Sequence, residues 1–327
     1  MKKIVLILLI ITKYLSAQDF HLSIYDASPL FLNPAMTGLV DAKYRVHLHY
    51  RNQWNVLAIK PFQTSLASFD MPLKKWGVGL QLSNMRAGAG NYNVFQALLS
   101  SAYYVPLDKN KFHNLNFGLQ AGINQKSVEY KLLTYNNQYV NKDGGYFDQN
   151  LPSGENFNKQ VFFIHQVNAG ILYYYGKQQT RLNPFIGFSA FNITQPKESF
   201  FGSSNRLPIR YYLHFGSRIN IGELLYIIPK VLIMKQSTAS EQTYALDAGY
   251  YFKNENFFLL TGLNFRIQDA TIAYIGFKKE NYTLKIGYDF NTSSLKRISK
   301  MRGAFEIAFT YIPLKNKPQT IKNCPRL

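Results

Sequence analysis

His47 and His49 stand two apart in the run Arg45-Val-His-Leu-His-Tyr-Arg51, a spacing that puts both imidazoles on one face of a strand, within reach of one metal ion. Two ligands are too few for a closed site, and no cysteine or second histidine pair follows at ligand spacing; they read as polar neighbours of Arg45 and Arg51. Serine, histidine and asparagine are all present for hydrolase chemistry, but no GxSxG signature marks a nucleophile. Met85-Arg-Ala-Gly-Ala-Gly-Asn-Tyr92 has the small residues of a phosphate cradle without the Gly-Lys-Ser/Thr sequence or a following helix, and reads as a flexible loop. Asp143-Gly-Gly-Tyr-Phe-Asp148 and Pro152-Ser-Gly-Glu155 carry loop carboxylates that could meet calcium, yet they lie in the long segment 125–160, better read as an exposed interaction loop. No catalytic, cofactor-binding or metal-binding residue is assigned.

The elements that would position these residues announce themselves by a period of two. Tyr44, Val46, Leu48 and Tyr50 fall on one face, Arg45, His47, His49 and Arg51 on the other. Ahead of them Asn33-Pro34 and Thr37-Gly38 form a turn-making knot, read as a hinge leading into the strand. The same alternation recurs in Phe112 to Asn124, Ile209 to Asn220, Asn281 to Phe290 and Arg302 to Tyr311. With weaker segments included, fourteen strands are expected at 42–51, 62–71, 75–84, 92–106, 112–124, 161–175, 181–193, 209–220, 223–235, 240–253, 256–266, 268–278, 281–290 and 302–311.

Connections after the even strands of this series are short. Most of those after odd strands are longer, among them 125–160 and 194–207. Unequal rims and an even strand number predict an all-β transmembrane outer-membrane barrel of about 14 antiparallel strands with both termini periplasmic. A soluble sandwich would show the same alternation with its apolar face inward. Aromatic residues make up 16% of the chain, and Tyr103-Tyr104, Tyr173 to Tyr175 and Tyr250 to Phe252 at strand ends are expected to form interface girdles, which favours the membrane reading.

Residues 1–17 read as an export signal, with Lys2-Lys3, the apolar run Ile4 to Ile11 and Leu15-Ser-Ala17 before the cleavage point. Its removal lowers the formal charge from +19 to +16, so the chain stays basic. The lysines are scattered between strands, which excludes a nucleic-acid face and fits attraction to an anionic envelope surface. Cys324 is the only cysteine, so no intrachain disulfide exists. Residues 18–41 form either a periplasmic lead or a plug, 42–313 the barrel and 314–327 a periplasmic tail.

Particular stretches resemble the PorP/SprF outer-membrane proteins of the type IX secretion and gliding system of Bacteroidota. They are Leu32-Asn-Pro-Ala35 with Thr37-Gly38, Arg51-Asn-Gln-Trp54, Phe62 to Thr64, Asp70 to Pro72, Leu207-Pro-Ile-Arg-Tyr-Tyr-Leu-His214, Ile286-Gly-Tyr-Asp289 and Asn323-Cys-Pro-Arg326. The chain departs from the family at Gly303-Ala-Phe-Glu306, where a Gly-Ser-His-Glu type of stretch is expected. The resemblance implies a non-enzymatic component without cofactors that supports secretion or surface attachment of partner proteins. Such partners include adhesins with a C-terminal sorting domain, besides the secretion machinery and outer-membrane lipid. It assigns a structural or partner-binding role to Asn33, Pro34, Gly38, Arg51, Asn52, Gln53, Trp54, Arg210, Tyr211, Tyr212 and His214. The alternative is a porin or plugged solute transporter.

Overall fold

The computed structural model describes residues 20–54, 60–142, 144–157, 159–177, 180–202, 204–294 and 296–313. The expected signal at 1–17, the tail 314–327 and Cys324 lie outside these residues. Fourteen strands close a barrel: β1 (Arg45–Gln53), β2 (Phe62–Leu73), β3 (Trp76–Ala87), β4 (Tyr92–Pro106), β5 (His113–Ser127), β8 (Val161–Tyr175), β9 (Leu182–Phe191), β10 (Arg210–Ile221), β11 (Leu225–Gln236), β12 (Ala239–Phe252), β13 (Phe257–Arg266), β14 (Ala270–Lys279), β15 (Tyr282–Asn291) and β16 (Arg302–Tyr311). A two-stranded hairpin, β6 (Tyr139–Val140) and β7 (Tyr146–Phe147), sits in the loop between β5 and β8. Each barrel strand pairs antiparallel with its neighbours in order, and β1 closes on β16 with Val46 opposite Tyr311. Closure pairs every sheet edge, as a span through lipid demands, because no water is there to satisfy an open strand.

The polarity of the wall is inverted relative to a soluble barrel. On β5, Leu119 is 64% exposed while its neighbour Gln120 is 1% exposed. Leu99, Phe163, Leu263 and Ile275 are likewise exposed, whereas Asn116, Gln166, Asn168, Asp247 and Asn264 are buried. A water-facing shell would reverse this, so the outer surface is built for hydrocarbon. Tyr44, Val46, Leu48 and Tyr50 stand on the outer face, and Arg45, His47, His49 and Arg51 face the lumen and are buried.

One rim carries the beginning of β1, the end of β16 and the tight turns, for example Lys74-Lys75 and Glu280-Asn281. The other carries 128–160, 192–209 and 292–301, together with the short turns 237–238 and 267–269. At the chain-end rim Phe69, Tyr44, Tyr311 and Tyr282 form a run of ring contacts at 5.1–6.1 Å, and Trp76 packs on Tyr103 at 4.8 Å. The expected girdle needs one correction. Tyr104 donates its hydroxyl to the Thr37 carbonyl inside the barrel at 2.6 Å and Tyr174 is buried, because neighbours on a strand cannot both face lipid. The segment 85–92 also differs: Met85–Ala87 extend β3, and only Gly88–Asn91 turn, with Gly88 and Asn91 at positive φ.

Candidate functional site

Residues 20–42 lie inside the barrel, where a 3₁₀ turn (Tyr25–Ala27), a single helical turn (Pro29–Leu32) and a second 3₁₀ turn (Pro34–Met36) follow one another. The turns bond internally between Ile24 and Val40, and polar groups that these bonds leave over find partners on the wall. Asn33 bridges the two. Its Oδ1 accepts the Ala35 N–H at 2.9 Å, a cap on the second turn, and its Nδ2 donates to the Ile171 carbonyl at 3.0 Å and lies 3.2 Å from His214 Nε2. The wall is cut away to receive this turn: a Cβ on Gly170 would stand 2.0 Å from Asn33 Oδ1, and one on Gly118 2.2 Å from the Ala35 nitrogen. The knot is therefore seated against the barrel wall rather than serving only as a hinge before β1.

Charge then ties the segment at three further places. Glu306 accepts the backbone N–H groups of Ser23 at 2.7 Å and Ile24 at 2.8 Å, and pairs with Arg51. The Ser23 hydroxyl donates to Asp289 at 2.6 Å and accepts from Arg51 Nη1 at 2.5 Å and Arg266 Nη2 at 3.1 Å. Asp26 sits between Lys230 at 2.9 Å and Lys285 at 3.1 Å, and Lys230 also pairs with Asp247. Burial alone would raise the Asp26 carboxyl, but the two lysines outweigh it and hold it well below the usual carboxylate range. Asp70 binds Arg45 at 2.7 and 2.9 Å and takes the Gly38 N–H at 2.7 Å.

His47 and His49 resolve as part of the same network. Ser28 Oγ lies 2.7 Å from His47 Nε2 and 3.0 Å from His49 Nδ1, His47 Nδ1 lies 2.9 Å from the Thr310 hydroxyl, and His49 Nε2 lies 3.1 Å from Glu306. Among the described residues no three His, Cys, Asp or Glu side chains gather as a metal site. An apolar cluster completes the seat: Tyr25, Leu32, Met36 and Leu39 pack on Leu172, Phe185, Tyr212, Ile228 and Leu232 of the wall.

Of the motif residues, the structure brings Asn33 onto His214, Gly38 onto Asp70 and Arg51 onto Ser23. Pro34 begins the second 3₁₀ turn and Tyr212 packs in the cluster. The Arg210 guanidinium lies over Phe31, Phe191 and Tyr212 at 5.8, 4.9 and 5.1 Å. Tyr211 stands apart, stacked on Phe188 on the outer face. Asn52, Gln53 and Trp54 lie at the far end of β1, where Gln53 accepts from Arg51 at 3.3 Å and Trp54, with φ +62°, packs on Phe62. Residues that motif reading did not assign, Ser23, Asp26, Ser28, Lys230, Asp247, Arg266 and Lys285, carry as much of the network. All but the three in the inner segment share one sequence signal, a charge at an inward position of an apolar-faced strand.

Residues 15–311 match the family described as type IX secretion system membrane protein PorP/SprF. The chain belongs to the PorP/SprF family. That family is a membrane component of a secretion system rather than an enzyme family. Its departure at Gly303-Ala-Phe-Glu306 falls lightly, since Glu306 keeps the inner network and Phe305, where the histidine was expected, points outward. No curated protein matches the sequence. Among solved structures the fold is similar to the CymD monoaromatic hydrocarbon channel, at 11% identity and a TM-score of 0.51 over 89% of this chain and 94% of that one. A Pseudomonas aeruginosa FadL homologue is 10% identical, with a TM-score of 0.49 over 88% and 94%. The first likeness supports the barrel fold alone. Family, closed barrel and apolar outer surface make this PorP/SprF chain an outer-membrane protein.

Proposed function

We propose that this PorP/SprF protein is a non-enzymatic fixture of the type IX secretion apparatus, a plugged barrel that supports the secretion or surface attachment of partner proteins such as adhesins with a C-terminal sorting domain. Its chain-end rim, both termini and the tight turns face the periplasm and the secretion machinery. The long loops at 128–160 and 192–209 face outward to the partner. In this reading Asn33, Pro34, Gly38, Arg51, Arg210, Tyr212 and His214 hold the plug, and Asn52, Gln53 and Trp54 brace the outer end of β1.

The observation that carries the proposal is the tethering of residues 20–40 to the wall around the lumen by buried ionic and polar bonds. A segment bound at Glu306, Asp289, Lys230, Asp70 and His214 suits a body that anchors others better than one that passes solutes. A gated transporter is the second reading, favoured by a cavity of about 430 Å³ left between the inner segment and the wall, lined by Met36, Leu39, Tyr226 and Leu260 among others. Planar-bilayer recording separates the two. The purified protein is expected to be silent, and steady conductance or solute-dependent opening would sink the anchor reading in favour of transport.

A further inference from the structure

At the long-loop rim the connection between β15 and β16 carries an unbroken basic signal. From Phe290 to Phe305 the sequence holds no aspartate or glutamate, while Lys296, Arg297, Lys300 and Arg302 are all exposed. None of these four makes an ion pair among the described residues. Of the neighbouring acids, Asp269 lends its carbonyl to the N–H groups of Thr292 and Ser293 while its carboxylate is bound to Arg266 at 2.9 Å, and Asp289, between the two strand pairs at the bulge, is bound inside the barrel to Arg51 and Arg266.

Two apolar side chains are interleaved with the cations. Ile298 is 67% exposed and Met301 50%, each flanked by basic residues. The loop has fixed bonds at both ends: Lys296 N–H donates to Ser293 O, Met301 N–H to Lys296 O and Asn291 N–H to Met301 O, at 3.0–3.1 Å. Ser299 is buried beneath it.

A β-bulge aims the last cation. Tyr288 pairs with Phe305 but Phe290 pairs with Arg302, so β16 has one residue more than β15 between the two pairs. The extra residue puts Arg302 on the face of its partner Phe290, which is outward and exposed, whereas strict alternation from buried Glu306 would have turned it into the lumen. Arginine above an outward Phe290 and Phe305 stands where hydrocarbon gives way to headgroups.

We propose that Lys296, Arg297, Lys300 and Arg302, with Ile298 and Met301 seated among acyl chains, bind the phosphate-bearing headgroup of an anionic lipid in the leaflet at the long-loop rim. Guanidinium and ammonium groups supply charge-assisted bonds to phosphate, and the apolar pair ties the loop to the bilayer. Given the orientation taken under the proposed function, that leaflet is the outer one and the lipid a phosphorylated lipid A.

The test uses full-length protein in nanodiscs of phosphatidylcholine doped with bisphosphorylated lipid A, dephosphorylated lipid A or phosphatidylglycerol, with retained lipid read by native mass spectrometry. Bisphosphorylated lipid A is expected to be retained at least about tenfold over its dephosphorylated form. The K296Q/R297Q/K300Q/R302Q variant should abolish that preference, I298S/M301S should weaken it, and inorganic phosphate at millimolar level should not compete. Heat-modifiable mobility on gels verifies that each variant barrel has folded. Equal retention of the two lipid A forms, or an unchanged preference in the quadruple variant, overturns the site. A variant-sensitive preference for phosphatidylglycerol over lipid A overturns the lipid A assignment and with it the orientation, whereas the site's failure with loops shown to be outside leaves the orientation standing.

Discussion

Glu306 shows how one side chain organises many. It accepts two backbone N–H groups from the inner segment while pairing with Arg51 and contacting His49, all without access to water. Replacing it by glutamine leaves Arg51 buried with half its countercharge, and breaking such a pair costs about 3–5 kcal/mol. Glu306→Gln is expected to lower the unfolding midpoint well below that of Glu255→Gln, a change at an exposed turn, in parallel thermal scans. Gly170→Ala tests the wall slot: its Cβ would meet Asn33 Oδ1 at 2.0 Å, an overlap costing about 1–3 kcal/mol. It should loosen the inner segment, with fluctuating bilayer conductance as the readout, while the barrel stays folded.

Two titrating residues set how the segment responds to acid. Asp26, held low by Lys230 and Lys285 against its burial and the nearby Asp247, stabilises the seated state above the ordinary carboxylate value, and that contribution is lost as pH falls below about 4. His21 is pushed down by burial, then by Arg266 and Arg51, and Glu306 opposes this only in part; it sits 3.5 Å from Glu241. It is seated neutral, so protonation of the released form below about pH 6.5 favours release. Both signs agree. Hydrogen-exchange protection of residues 20–40 should fall from pH 7 to pH 4 through His21, and further below pH 4 through Asp26, while β5 and β12 keep theirs; protection that is flat or rises in either interval would contradict the assignment of that residue.

At the scale of elements, the inner segment and the long loops divide the work. Deleting residues 20–40 removes the ties described above and should turn a silent barrel into one with steady conductance. The loop between β5 and β8 has internal order, with the β6–β7 hairpin and a stack of Tyr130 on Phe157 at 4.7 Å that continues to Phe201 at 4.6 Å. Replacing residues 130–157 by a short glycine-serine linker should leave the barrel folded and release the partner protein into the medium, measured by cell-surface labelling. Retention of the partner at the surface would remove this loop from the attachment role. The strands themselves were legible to within a few residues. β1, for instance, begins at Arg45 rather than residue 42 and runs on to Gln53. The period of two survives in sequence because each wall residue has only two environments, lipid or lumen. The inner segment had no such period, so nothing in its sequence chose between a lead and a plug.

Across the whole molecule the question is which rim faces which side of the membrane. A cysteine at Ser153, in the longest loop, should react with an impermeant maleimide on intact cells, and one at Lys109, in a tight turn, only after the outer membrane is opened. The reverse pattern would invert the orientation proposed for both partners and lipid. By itself the sequence determined the strand number, the shared face of Arg45, His47, His49 and Arg51, and the family, because alternation and local motifs are properties of neighbours in the chain. Only the tertiary structure decided that Asn33 meets His214 and that Ser23 meets Glu306. Those partners lie 181 and 283 residues apart, and their meeting depends on barrel closure and register, which no local pattern encodes.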